Sequence, residues 1–77
     1  HACEGLGVMQ RCLRTMRDVL TDVRQDRLGK PVLEEIRVFT DAMISTIEAL
    51  AAKNLCEESQ RQQAKAAAEA VKKFASN

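Results

Sequence analysis

Between Pro31 and Lys53, the residues Leu33, Ile36, Thr40, Met43, Ile47 and Leu50 recur at alternating spacings of three and four. That rhythm places them on one face of a helix. Phe39 and Ile44 flank the seam and widen it to roughly 140°, at about 100° per residue. A stripe that wide predicts a helix with two neighbours. Val38 falls outside it and is expected at the surface. The ends are marked as well. Pro31 suits a first helical turn, where its missing N–H has no partner to lose. Glu34 and Glu35 follow near the positive helix end and Lys53 stands near the negative one, each matching the macrodipole. The pattern predicts a helix over 32–53.

A second seam precedes it. Leu6, Met9, Leu13, Met16, Leu20 and Val23 follow the heptad rhythm, and Cys12 and Val19 broaden one side. Arg24 and Arg27 fall in the last turn of such a helix. Leu28-Gly29-Lys30-Pro31 then breaks it, since Gly29 accepts a left-handed cap conformation and Pro31 blocks continuation. The predicted span is 6–27. Residues 1–5 are expected to be a loose N-terminal segment, because Gly5 and Gly7 are weak helix formers.

The remaining chain has no Gly or Pro after Ala49, so its boundary rests on capping. Asn54 is a good N-cap, and Glu57 three residues later completes a capping-box pattern. Glu57 and Glu58 are acidic where a helix would start, and Lys72 and Lys73 basic where it would end. A helix over 55–75 follows. Its apolar sector holds Leu55, Cys56, Ala66, Ala67, Ala70, Val71 and Phe74, interrupted by Ser59 and Gln63. Alanine favours the helix but buries little area, so this helix is expected to be the most loosely packed. Glu57/Arg61 and Glu69/Lys73 have the favourable i,i+4 order.

The fold class predicted is all-α, an antiparallel up-down-up three-helix bundle, with residues 6–77 as a single domain. The alternative is a long helical hairpin, unbroken from Pro31 onward, that dimerises to bury its faces.

Composition narrows the function. At 77 residues the chain makes one small domain with a marginal core. It opens at His1 and not Met, the expectation for a processed or excised product. Charged residues make up 30% but nearly cancel, leaving a formal +1. A nucleic-acid binder would carry a basic excess and stacking aromatics, and there is no Trp, no Tyr and only two Phe. No apolar run approaches the roughly 18 residues of a membrane span, and no signal-peptide pattern is present.

Candidate chemistry is sparse. The one histidine is His1, so the cysteines lack an internal imidazole partner for nucleophilic work. Asp18, Asp22 and Asp26 form an acidic row that reads as a solvated face beside Arg14, Arg17 and Arg24. No phosphate-binding glycine loop and no metal-ligand spacing appears, so no cofactor, metal or catalytic residue is expected. The arginines Arg14, Arg17 and Arg24 are candidates for docking an acidic partner, since Arg favours bidentate contacts. Gln63, Val71 and Phe74 are candidates on the third helix. An up-down-up topology brings the first and third helix starts together, so Cys3 and Cys56 are the expected disulfide pair if one forms.

The function expected is a non-catalytic protein–protein interaction module. A thin third helix leaves the wide stripes of the first two incompletely covered, and a partner's amphipathic helix docks there. Self-association is a second outcome of the same stripes. The alternative function is structural, a segment of a longer helical rod or a cysteine-stapled ectodomain.

Overall fold

The computed structural model describes residues 2–76, with side chains described for 5–76. Three α-helices, α1 Ala2–Leu20, α2 Gly29–Ala52 and α3 Glu58–Ser76, follow one another, with a 3-10 turn at Gln25–Arg27 between the first two. Contacts fix their directions. Leu6 clusters with Ile47 and Ala64 at one end, and Leu13 with Ala67, Ala68, Met43 and Ile44 in the middle. Arg37 reaches the Ala75 carbonyl at the other end, at 3.1 Å. Thus α1 and α3 run parallel and α2 antiparallel to both. The result is an up-down-up three-helix bundle measuring 40 × 19 × 17 Å.

The packing differs from the expected one in which helix is central. α3 lies along both α1 and α2, whereas α1 and α2 touch at only a few residues. Nine of the described residues are buried, and Ala64, Ala67, Ala68, Val71 and Ala75 of α3 are five of them. The helix with two neighbours is therefore α3, and the expectation of a loosely packed third helix is corrected. Small side chains are the reason, because they let the α3 backbone approach both partners closely. The buried face of α3 is also turned by part of a turn from the expected sector, leaving Gln63, Ala66 and Ala70 exposed. On α2 the expected seam holds. Ile47 and Thr40 are fully buried, Leu33, Ile36, Met43 and Leu50 are half-buried, and Val38 is exposed. The Thr40 hydroxyl is satisfied within its own helix by the Ile36 and Arg37 carbonyls, at 2.9 and 3.0 Å.

α1 departs from the predicted 6–27 at both ends. It begins at Ala2, inside the stretch expected to be loose. Burial of Leu6 against Ile47 and Ala64 offsets the helix cost of Gly5 and Gly7, about 1 kcal/mol each. It ends at Leu20, where the Thr21 hydroxyl donates back to the Arg17 carbonyl at 2.8 Å and Arg24 turns extended. Leaving the helix there carries Gln25 to α3, where its side-chain amide donates to the Phe74 carbonyl. Together Gln25 and Arg37 cap carbonyls in the last turn of α3, and the Arg37 cation suits the negative helix end.

The second break is real, but Asn54 plays a different part from the one expected. It has a φ of 57° and ends α2 instead of starting α3. The Leu55 N–H donates to the Leu50 carbonyl at 2.9 Å and the Asn54 N–H to Ala51 at 3.0 Å, the bond pair of a Schellman cap. The α3 capping box lies three residues on. Gln60 accepts from the Glu57 backbone N–H at 3.1 Å, and the Arg61 N–H closes the first helical turn on the Glu57 carbonyl. Gly29, with a φ of 77°, takes the left-handed conformation foreseen for it. The five-residue break after α2 excludes the long unbroken hairpin.

Ion pairs join α2 to α3. Arg61 bridges Glu48 and Glu58 at 2.9 and 2.5 Å, Lys65 adds a second contact to Glu48 at 3.4 Å, and Lys72 meets Asp41 at 2.5 Å. Arg61 thus pairs with Glu58 and not with Glu57, because Glu57 is the cap and lies outside the helix.

Candidate interaction face

Because α3 holds α1 and α2 apart, the side of that pair turned away from α3 stays open. Met16 of α1 and Val32, Glu35, Ile36 and Phe39 of α2 line a groove there of about 250 Å³. Helical spacing extends this face in both directions. Cys12 lies four residues before Met16, Val19 three after it, and Val8 four before Cys12, all on one side of α1. On α2, Ala42, Thr46 and Ala49 continue from Phe39 in the same way. Val8 and Val19 are 51% and 63% exposed, Val32 and Phe39 42% and 40%. Across this face, from Val8 to Val19 and from Val32 to Ala49, Glu35 is the single charged residue among those described.

A smaller cleft separates α1 from α3. Arg17, Leu20, Thr21, Ala70, Val71 and Phe74 enclose about 140 Å³. Three of the residues singled out from sequence, Arg17, Val71 and Phe74, meet here. Val71 is only 1% exposed and belongs to the core, while Phe74 is half-buried. Arg14 and Gln63 lie farther along the same seam, where the Gln63 side-chain oxygen accepts from Gln10 at 2.8 Å and from Arg14 at 3.3 Å. Gln63 is an exposed link between helices and not an inward-facing polar residue. Arg17 is held by Asp18 at 3.2 Å.

Arg24 stands apart. It lies beyond the end of α1 and forms a two-toothed pair with Asp26, at 3.2 and 2.7 Å, beside a shallow depression shared with Asp22, Val23 and Arg27. The acidic row is likewise broken, since Asp18 lies in α1, Asp22 in the turn after it and Asp26 in the 3-10 turn. The arginines therefore do not form one docking face. The open α1–α2 face was only partly foreshadowed, in the breadth that Cys12, Val19 and Phe39 gave to their seams. Val8 and Val32 had no signal of their own.

The cysteines are separated in kind. Cys12 is an exposed free thiol on the open face, and Cys56 a half-buried free thiol packed against the cluster of Leu6, Ile47 and Ala64. The side chain of Cys3, the partner expected for Cys56, lies outside the described residues. No group of three or more His, Cys, Asp or Glu among the described residues is placed to share a metal ion. No described helix is long and apolar enough to cross a membrane.

Arg61 sets the electrostatics of the α2–α3 seam. Its hydrogen bond holds the Glu58 carboxyl down to about 2, with partial burial opposing and Gln62 assisting. The same guanidinium, with Lys65 behind it, lowers Glu48. This network joins two helices already packed together and carries no reactive group. Comparison with protein-family models, curated proteins and solved structures finds no match, so function rests on this chain's own surface.

Proposed function

We propose that this bundle is a non-catalytic interaction module whose open α1–α2 face receives amphipathic helices of another polypeptide. One observation carries the reading. Met16, Val32, Ile36 and Phe39 line a groove between two helices that α3 keeps from closing on each other. A helix laid along this groove would turn three helices into four and bury the apolar edges of α1 and α2. This is helix-in-groove recognition, read through anchors spaced i, i+3, i+4 and i+7. Isolated surface valines need no partner, but these lie together along two adjacent helices.

Labelled amphipathic helical peptides with an apolar stripe at that spacing supply the test, by fluorescence anisotropy. Binding is expected to be lost in Phe39→Asp and kept in Ala66→Asp, a change on the exposed outer side of α3. Absence of binding by every peptide to a chain that is monomeric at the assay concentration, or equal loss in both variants, removes the proposal.

A further inference from the structure

The composition of the open face says more about its occupant. We infer that it is a second copy of this chain, packed so that the α1–α2 pairs of the two copies face each other. The inference rests on the open face being the interaction surface.

The first argument is what the face lacks. The chain is 30% charged, yet Glu35 is the one charged side chain across the described length of this face. It offers valines and alanines with a methionine, an isoleucine, a cysteine, a threonine and one aromatic ring. Surfaces that bind a foreign partner concentrate energy in Trp, Tyr and Arg. Homodimer interfaces instead resemble a domain core cut in half, apolar and depleted of charge. Arg14 and Arg17 turn toward α3, and Arg11 and Asp18 flank the row of Val8, Cys12, Met16 and Val19 without belonging to it, so the centre of the face carries no row of like charge.

The second argument is what the core lacks. Among the described residues, Leu6, Leu13, Ile47, Val71 and Thr40 are the largest fully buried side chains, and the other buried ones are alanines. A short chain with so small a core commonly needs a disulfide, a metal or a second subunit. The exposed parts of Val8, Val19, Val32 and Phe39 alone amount to roughly 300 Å² a copy, so two copies cover about 600 Å² through these four, and the neutral neighbours Cys12, Met16, Ala42, Thr46 and Ala49 extend the contact toward the roughly 1,200 Å² of stable interfaces.

Symmetry is compatible with this. α1 and α2 are already antiparallel, so a two-fold axis along the bundle sets α1 against α2 of the other copy, again antiparallel. Four helices then alternate in direction around a new core, with each α3 on the outside.

Sedimentation equilibrium over a wide concentration range tests the assembly, and the reactivity of Cys12 in a Cys3→Ser/Cys56→Ser background tests the face. A concentration-dependent dimer is expected, with Cys12 alkylation slowing at least tenfold as the dimer forms. Phe39→Asp should leave a monomer with the helical circular dichroism retained. Should Phe39→Asp fail to fold, Val19→Glu decides, since its site is largely exposed and cannot unfold the bundle by burial. A chain that stays monomeric at the highest concentration overturns the inference, and so does a dimer that survives Val19→Glu with Cys12 still reactive. A monomer that nevertheless binds amphipathic peptides through Phe39 sinks the second copy while leaving the module intact.

Discussion

Ile47→Ala is the sharpest probe of the core. Ile47 is fully buried, between Leu6 of α1 and Ala64 of α3, so it ties all three helices together. The substitution deletes three carbon atoms, worth about 2.4 kcal/mol at roughly 0.8 kcal/mol per buried methylene. A cavity cost adds to this unless the surroundings close in, and the observed range for such truncations is about 2–5 kcal/mol. Ala64 has no side chain long enough to fill the space. Of the side chains packed around the cluster, Met9 and Leu50 are long enough to lean in, while Cys56 is short. Partial collapse puts the expected loss at about 3–4 kcal/mol. A chain of this size has only about 4–12 kcal/mol in total, so the variant should be visibly unfolded in modest urea. Val38→Ala is the control, because Val38 is 60% exposed and should change stability by less than about 0.5 kcal/mol. The chain has no Trp and no Tyr, so circular dichroism at a single fixed protein concentration is the measurement. Equal losses at Ile47 and Val38, or a loss at Ile47 below about 1 kcal/mol, would refute the packing reasoning.

Two further outcomes are expected. Amide exchange should be slowest in α3 around Ala64 to Val71, at least as slow as in α2 from Ile44 to Leu50, and faster in α1, which is held mainly from one side; early opening of α3 would contradict its central place. Glu58 and Glu48 are depressed by Arg61, so the stability they contribute is complete above about pH 4.5 and is lost as pH falls toward 2. The effect should be small, since these carboxylates are substantially exposed. Melting temperature followed from pH 5 to 2 should fall less steeply in Arg61→Met, and an unchanged slope would show that Arg61 does not hold them.

How much of this was legible in the sequence follows from where the large side chains are. The α2 seam could be read closely because Leu33, Ile36, Met43, Ile47 and Leu50 are large apolar side chains that recur at helical spacing on one face. The left-handed turn at Gly29 was equally plain, being local chemistry, although Gly29 opens α2 and the break itself lies earlier, after Leu20. The end of α1 was not, since the heptad rhythm runs on through Leu20 and Val23. What stops the helix is tertiary: Gln25 is used to cap a carbonyl of α3 some fifty positions away. Asn54 was correctly seen as a breaker but assigned to the wrong helix, because Asn serves both as an N-cap and as a left-handed terminator.

The orientation of α3 shapes the functional surface. In Ala66-Ala67-Ala68-Glu69-Ala70 every non-acidic position is equally apolar, so periodicity gives almost no orientation, and Val71 and Phe74 dominated the expected face. The orientation adopted agrees instead with its polar partners: Arg61 and Lys65 on Glu48, Lys72 on Asp41, and Gln63 toward Gln10 and Arg14. Reading alanine as thin packing made α3 look like the weak element. In the fold the same thinness makes it the central one, since two helices can approach it closely from different sides. Placing α3 there separates α1 from α2 and creates the open face. The sequence expectation of an incompletely covered α1–α2 stripe therefore reached the proposed surface through an inverted mechanism: the face is open because α3 packs well against both helices, on one side only.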